Sequence, residues 1–196
     1  DWCCFPHLDR PSVFAAILDA NRGGRFRIGA AGADRGEQRY LSDTNVLETR
    51  IQTGTGLLTL TDFIPLRGRI HGTGNSHGGE RSIAPSEIHR ILECSQGAVT
   101  VEVEWSPRFD YARAPTRIEP AGEGWVAASD AGILALGGAV DAVVSDGESG
   151  PFLQAQFPMH DGERRVLVTR WGTRDVSFDP VSSVDLLQRT AAAWKN

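Results

Sequence analysis

Short β-rich runs recur along this chain at intervals of about eight to twelve residues, and turn signals separate them. The clearest run has an alternating pattern, with Val99, Val101, Val103 and Trp105 on one side and Thr100, Glu102 and Glu104 on the other. Such alternation predicts a strand with one buried face and one wet face. Twenty-two glycines and ten prolines supply the many turns that a fold of this kind needs. The sequence therefore predicts an all-β fold, a large antiparallel β-sandwich.

Two hairpins are predicted from the turn residues between these runs. Gly54-Thr55-Gly56 separates the apolar runs 46–53 and 57–63. By the same logic, Ser95-Gln96-Gly97 separates the runs 88–94 and 99–105. We therefore expect two antiparallel strand pairs in the first half of the chain.

Helix is expected only near the two ends. Pro11, followed by apolar residues at helical spacing, predicts a short N-terminal helix. Ser182 and Asp185 form a capping box that predicts the start of a C-terminal helix. One face of that helix would carry Val184, Leu187, Ala191 and Trp194.

Composition limits the number of domains and the kinds of partner. Apolar residues make up 40% of the 196 residues, which suffices for one core, and no stretch has the composition of a linker. The net charge of −5 and the scattered arginines argue against nucleic acid as a partner. No apolar run reaches the length of a membrane span, so no membrane partner is expected either.

The cysteines suggest a compartment. Cys3, Cys4 and Cys94 are the only ones, and they have no CxxC spacing. An odd number of such residues indicates reduced, buried thiols and a cytoplasmic location, the alternative being a pairing that involves Cys94.

Two predicted strand exits share a proline followed three residues later by an aspartate. They are FPHLDRP at residues 5–11 and SPRFDYA at residues 106–112. Proline cannot donate to a strand ladder and aspartate caps turns, so each pattern predicts a shaped loop where a sheet stops. Loops of this kind commonly carry binding groups. The candidates for contact with a substrate or a neighbouring domain are His7, Asp9, Arg108, Asp110 and Tyr111.

These loops and their surroundings carry a family resemblance. The segments that carry it are DWCCFPHLDRPSVFAAILDANRGGRFRI, RYLSDTNVLETR, LTDFIPLRGR, EIHRILE and WSPRFDYARAP, in that order. Together they resemble the amino-terminal domain of glycoside hydrolase family 15, which includes glucoamylases, glucodextranases and bacterial trehalases. The resemblance implies a super-sandwich, as in mutarotase-like folds, for residues 1–180. It implies that residues 181–196 begin a connector helix to an (α/α)6 catalytic barrel that is absent here.

The resemblance also implies a function. Family members carry their catalytic glutamates in the barrel, so we expect this chain to be the non-catalytic domain of an inverting α-glucoside hydrolase, without catalytic residues, metal or cofactor of its own. Its expected partners are the barrel of the same parent chain and, in the full enzyme, an α-glucoside substrate. An exposed interface that includes Leu187 and Trp194 would also allow self-association. The first loop departs from the family, because His7 and Leu8 stand where relatives have arginine and an aromatic residue.

Two other hypotheses stay open from the residues alone. A free-standing carbohydrate-binding sandwich would need an exposed row of aromatic side chains. A mutarotase-like enzyme acting alone would need a histidine and a glutamate in one cleft, for which His89 and Glu104, expected on neighbouring strands, are the candidates.

The remaining polar candidates are interpreted as structural. Asp9 and Asp110 are assigned to turns, and Glu102 and Glu104 to a solvated strand face. His71 and His77 flank a glycine-rich stretch, HGTGNSHGGERS, that is interpreted as a mobile, solvated loop and not as a metal or phosphate site. No serine has the sequence context of a catalytic nucleophile.

Overall fold

The computed structural model describes residues 1–33, 35–70, 81–83, 86–139 and 141–195, and side chains are described except at residues 67–70 and 81–83. The first strands along the chain are β1 (Cys3–Cys4), β2 (Ser12–Phe14), β3 (Arg25–Ala30), β4 (Glu37–Tyr40), β5 (Leu47–Gln52), β6 (Gly56–Phe63), β7 (Arg67–Ile70), β8 (Arg81–Ile83) and β9 (Glu87–Ser106). After the single turn α1 (Phe109–Ala112) come β10 (Arg117–Ala121), β11 (Gly124–Ser129), β12 (Gly132–Gly137), β13 (Val143–Gly147), β14 (Gly150–His160), β15 (Arg164–Trp171) and the helix α2 (Pro180–Trp194).

The strands form two layers that share one long strand. The larger layer has the order β10-β11-β12-β15-β9-β6-β5-β4, and the smaller one has β13-β14-β9-β3. Neighbouring strands in both layers run antiparallel. Two short pairs, β1-β2 and β7-β8, lie beside them. The predicted all-β antiparallel sandwich is therefore confirmed.

Strand β9 crosses from one layer to the other. Its first half pairs with β6 and β15, and its second half with β3 and β14. The crossing lies at Gly97, whose φ of 63° an L side chain would strain, and the register of β6 shifts nearby. The hairpin predicted at residues 95–97 is therefore wrong, because the glycine bends a continuous strand and does not reverse it. The hairpin predicted at residues 54–56 is correct, since β5 and β6 pair across it.

The core lies between the two layers. In the second half of β9 the side chains predicted to be inside are buried, and they meet apolar side chains from the larger layer. Each large apolar side chain buried in this way stabilises the fold by about 1.5–3 kcal/mol. The fully buried members include Leu58, Leu92, Val101, Trp105, Leu134, Leu153 and Leu167.

The predicted N-terminal helix is wrong. Ser12–Phe14 forms strand β2, which pairs with β1, and residues 16–22 form turns. The Asp19 side chain accepts from the backbone N–H of Asn21 and Arg22 at 2.9 and 3.0 Å, which tightens the last of these turns. A stretch this short forms a helix only when packing supports it, and here Ile17 and Leu18 remain exposed.

Helix α2 begins earlier than predicted. Asp179 is its N-cap and accepts from the N–H of Val181 and of Ser182 at 3.0 and 3.1 Å, with Pro180 in the first turn. The predicted capping box of Ser182 with Asp185 is thus wrong, because the Ser182 hydroxyl donates back to Asp179 at 2.6 Å.

The helix packs on the outer face of the larger layer. Val184, Leu186 and Leu187 contact a second apolar cluster that comprises Val46, Phe63, Ile91, Val166 and Val168. Leu187 therefore packs on its own domain, against the expectation that it belongs to an exposed interface. Trp194, at the end of the helix, is exposed. Among the residues described, no helix is long and apolar enough to cross a membrane.

Candidate functional site

The two proline-aspartate loops meet at one cavity of about 260 Å³. The second loop is attached to the strand that follows the first one, because the Arg108 N–H donates to the Val13 carbonyl of β2 at 2.8 Å. The first loop contributes Phe5, Pro6, His7, Arg10 and Pro11 to the lining, and the second contributes Phe109 and Asp110. Val13, Ala131 and Trp171 complete it. We call this space the two-loop cavity.

Aromatic rings form one wall of the two-loop cavity. The half-buried ring of Trp171 stacks on Phe5, with centroids 6.0 Å apart and planes 14° apart. Phe109 lies against Trp171 at 5.8 Å with a tilt of 48°. A side chain on Gly132 would come within 2.2 Å of the Trp171 ring, so only glycine lets the backbone lie this close. The indole is therefore held from several sides.

A strained turn presents Asp110 to this cavity. In α1 the φ angles of Asp110, Tyr111 and Ala112 are 51°, 55° and 62°, which costs roughly 1–2 kcal/mol per non-glycine residue. Arg113 stabilises the turn, since its side chain donates to the Asp110 carbonyl at 3.0 Å and to the Asp110 carboxylate at 2.8 Å. Strain that the surroundings maintain in this way is concentrated at functional sites.

Tyr111 lies on the outside of the same turn. It is exposed, its ring lies 6.3 Å from that of Trp2, and the Arg113 guanidinium lies 5.4 Å from its centroid. Tyr111 is therefore a surface residue beside the two-loop cavity and does not line it.

Arg108 points away from the two-loop cavity. It is buried and donates to the carbonyls of Pro107, Pro151 and Gly150 at 2.9, 2.8 and 3.0 Å. Desolvation lowers the pKa of Arg108, and the Glu104 carboxylate opposes that shift. The guanidinium thus ties the second loop to the turn between β13 and β14.

The first loop places its two polar candidates differently. His7 is exposed and lines the two-loop cavity, whereas Asp9 is exposed but does not line it. The Arg10 N–H donates to the His7 carbonyl at 3.1 Å and closes the turn between them. Of the five residues predicted from the sequence, the fold brings His7 and Asp110 together at this cavity.

Sequence reasoning missed Arg10 and Trp171. Arg10 follows Asp9 directly in the first loop, so its position was a usable signal. Trp171 ends a strand run with apolar neighbours, a pattern that favours a place in the core. Its half-buried position at the end of β15 depends on where that strand stops relative to both loops, which one sequence does not reveal.

Hydrolysis of a glycosidic bond by inversion needs two carboxyl groups on either side of the bond. Asp110 is the one carboxylate among the described residues that line the two-loop cavity. Glu102 and Glu104 lie on the outer face of the smaller layer, where Glu104 pairs with Arg25 at 3.3 Å and Glu102 accepts from Gln156 at 3.4 Å. These positions fit the strand-face interpretation of both glutamates.

One buried group has the connectivity of a hydrolase triad. His89 Nδ1 lies 2.9 Å from Ser183 Oγ, and His89 Nε2 lies 3.2 Å from Glu87 Oε1. All three residues are buried, at 5% exposure or less, so a substrate cannot reach the serine. The group therefore joins α2 to the larger layer and does not form a nucleophilic site.

Other sequence candidates do not converge. His89 and Glu104, expected on neighbouring strands, lie in opposite halves of the same strand β9 and in different layers. The histidine and the glutamate that the mutarotase-like hypothesis requires in one cleft are therefore not brought together. His71 and His77 lie outside the described residues. In the part of the chain that is described, no three His, Cys, Asp or Glu side chains are grouped so that they could hold a metal.

The fold and this cavity define a class: a β-sandwich domain that carries a small pocket between two strand-exit loops. Residues 1–194 match the protein family described as trehalase-like, N-terminal, and the chain belongs to that family. The match covers both layers and all of α2.

Curated relatives include several enzymes named trehalase. The trehalase of Thermoplasma volcanium is 32% identical over 133 residues, which cover 66% of this chain and 20% of the relative. That of Mycolicibacterium smegmatis is 26% identical over 216 aligned positions, which cover 100% of this chain and 30% of the relative. The trehalase of Mycobacterium tuberculosis is 34% identical over 119 residues, which cover 58% of this chain and 17% of the relative. The chain thus spans less than a third of the length of these relatives.

Proposed function

We propose that this chain is the non-catalytic N-terminal domain of an inverting α-glucoside hydrolase of the trehalase or glucoamylase type. In this proposal residues 1–180 form a sandwich that packs on an (α/α)6 catalytic barrel of the same parent protein, and residues 181–196 begin the connector to it. The two loops would then rim the barrel's pocket. Family membership and the names of the relatives support the hydrolase class.

The observation that carries the docking proposal is the concentration of exposed apolar side chains around the two loops. Trp2 contacts Tyr111, Leu8 belongs to the first loop, and the Ile17 N–H donates to the Asp1 carbonyl next to Trp2. Their exposed fractions are 49% for Trp2, 91% for Leu8, 73% for Ile17 and 43% for Tyr111. We call these four residues the apolar edge. Exposed apolar groups that lie together commonly mark an interaction site.

The experiment is to separate and recombine the parts of the parent protein. The isolated chain should hydrolyse none of maltose, isomaltose and trehalose, because Asp110 is the one carboxylate that lines its cavity among the described residues and inversion needs two. Mixing it with the separately produced remainder should restore binding and activity, and a double Trp2→Ala, Tyr111→Ala variant should restore less. Turnover by the isolated chain that disappears with Asp110→Asn would overturn the proposal.

The rival hypothesis of a free-standing carbohydrate-binding module has weaker support. It needs a row of exposed aromatic rings, and the exposed aromatic residues in the described part of the chain are Trp2, Tyr40, Tyr111 and Trp194. Of these, Trp2 and Tyr111 form a ring pair. A glycan array with the isolated chain separates the two hypotheses, since a module of this kind would retain oligosaccharides.

Two subsidiary proposals concern the cell and the oligomer. Three unpaired cysteines favour a cytoplasmic location. The apolar edge, left bare in the isolated chain, would favour self-association, which sedimentation of the wild type and of the Trp2→Ala variant would measure.

A further inference from the structure

We propose that the two-loop cavity is itself a binding site for one hexopyranose ring, with Trp171 as its stacking face and Asp110 as its acceptor for sugar hydroxyls. This rests on the proposed function, because that proposal makes a saccharide the natural ligand near these loops. It goes further in assigning direct sugar binding to the sandwich domain and in naming the residues that perform it.

The size of the cavity sets the size of the ligand. Its volume of about 260 Å³ lies just below the range of about 300 to 1,000 Å³ that is usual for pockets that take drug-sized ligands. A single six-membered sugar ring is a ligand of this smaller size. A second ring of an oligosaccharide would project out of the cavity.

The chemistry of the wall fits the two faces of a sugar. A pyranose has a face of C–H groups, which packs well on an aromatic ring, and Trp171, Phe5 and Phe109 supply such a wall. The hydroxyls at its edge need hydrogen-bond partners. Asp110, His7 and Arg10 are the polar side chains that line this cavity.

Asp110 has an oxygen available for this role. Its Oδ1 accepts from Arg113 at 2.8 Å, and the side chain is 35% exposed. The Arg113 contact fixes the direction of the carboxylate, so that Oδ2 can accept from a hydroxyl without losing that ion pair. Hydrogen bonds to a charged acceptor are stronger than those between neutral groups.

Other ligand classes fit less well. A purely apolar ligand would desolvate Oδ2 of Asp110 without giving it a hydrogen bond. An anion would be repelled by the Asp110 carboxylate, which lines the same cavity as Arg10 and His7. A metal ion would need several acceptors, and no group of three metal-binding side chains is present in the described part of the chain. A neutral polyol with one apolar face satisfies both the aromatic wall and the carboxylate.

The site is formed before any ligand arrives. The strained turn of α1 is held by Arg113, the Arg108 N–H anchors the second loop to β2, and the Trp171 ring lies against Phe5 and close to Gly132. Preorganisation of this kind reduces the ordering cost of binding. The isolated chain should therefore bind the sugar without its parent protein.

The test is a titration of the isolated chain with methyl α-glucopyranoside, followed by amide and indole chemical shifts. We expect saturable shifts confined to residues 5–11 and 109–113 and to the Trp171 indole. Sorbitol, which has hydroxyls but no ring face, should give no saturable shifts. The absence of saturation with the glucoside, or shifts centred on the outer face near Glu102, would overturn the proposal.

Variants assign the binding to the cavity. Asp110→Asn should weaken binding about tenfold, and asparagine tolerates the left-handed backbone, so the variant should fold. Asp9→Asn, in the first loop but outside the lining, is the matched control and should bind like the wild type. Equal affinity of Asp110→Asn and the wild type would exclude the proposed role of Asp110.

The two proposals can fail separately. If recombination of the parts restores activity and the glucoside does not bind the isolated chain, the domain assignment stands and the sugar site is wrong. If the glucoside binds at residues 5–11 and 109–113 but the parts show no interaction, the sugar site stands and the docking proposal is wrong.

Discussion

His89 Nδ1 lies 2.9 Å from Ser183 Oγ, and this buried hydrogen bond fastens the C-terminal helix to the strand that both layers share. It is one link of a longer chain. Glu87 Oε1 contacts His89 Nε2 at 3.2 Å, and Glu87 Oε2 accepts from Arg170 Nε at 2.9 Å. Arg170 also donates to the Ser177 carbonyl just before the helix. Strands β9 and β15, the segment before α2 and α2 itself are thus joined by polar contacts.

Removing the imidazole should loosen the helix. His89→Ala removes one of the hydrogen bonds of the buried Ser183 hydroxyl and one of those of the Glu87 carboxylate, which should cost about 1–3 kcal/mol of unfolding free energy. Urea unfolding measures this loss. The matched control is Glu93→Gln on the same strand, which breaks an exposed ion pair with Arg164 and should cost well under about 1 kcal/mol. Equal effects of the two variants would show that the network contributes little.

Asp179, the N-cap of α2, should make the stability of the fold depend on pH in the acid range. Hydrogen bonds from the Ser182 hydroxyl and from the Val181 N–H lower the pKa of Asp179 from its ordinary value. A folded-state pKa below the unfolded one contributes stability that is present above about pH 4 and is lost as the pH falls through the folded pKa. The acid-induced loss of stability below about pH 4 should therefore be smaller in Asp179→Ala than in the wild type. Identical pH profiles of thermal unfolding for the two proteins would contradict this.

Replacing Ser12 by alanine should not destabilise the fold. Its hydroxyl is fully buried and has no hydrogen-bond partner among the described residues. A buried polar group without a partner costs about 1–3 kcal/mol, so Ser12→Ala should leave the unfolding free energy unchanged or raise it. Thermal unfolding decides, with Ser182→Ala as the contrasting variant, because that serine hydroxyl bonds Asp179 and its loss should destabilise. A clear loss of stability in Ser12→Ala would mean that the hydroxyl has a partner in solution.

The first two cysteines should be unreactive in the folded protein. Burial, together with the neighbouring Cys4 thiol, raises the pKa of Cys3 to about 12, and burial raises the pKa of Cys4 as well. The thiolate is the reactive form, so alkylation near pH 8 should be slow until the chain is unfolded. Mass spectrometry after timed iodoacetamide treatment, with and without urea, measures the difference. Rapid native labelling of Cys3, which is half-buried, would contradict the raised pKa.

The sequence predicted what depends on local pattern. The alternation of residues 99–105 identified the buried side of β9, and glycine between apolar runs identified the β5-β6 hairpin. The two proline-aspartate patterns identified loops that meet at one cavity. In each case the signal lies within a few neighbouring residues, and steric rules translate it directly into backbone shape.

What the sequence could not predict depends on distant partners. Gly97 reads as a turn, but pairing with β6, β15, β3 and β14 makes it a bend in one strand. Phe14, Ile17 and Leu18 follow Pro11 at helical spacing, yet pairing with Cys3–Cys4 makes Ser12–Phe14 a strand. Arg108 was a candidate for the rim, and the carbonyls of Gly150 and Pro151, some forty residues away, turn it inward. Tertiary contacts decided these outcomes, and local propensity did not.

The central claim is that the apolar edge docks on a catalytic domain. Steady-state kinetics of the full parent enzyme test it most directly. Trp2→Ala with Tyr111→Ala should lower kcat/KM for the α-glucoside about tenfold or more, while the unfolding midpoint of the isolated chain changes little. Tyr40→Ala, which removes an exposed aromatic ring from β4, is the control and should leave kcat/KM unchanged. An unchanged kcat/KM in the double variant would contradict the account.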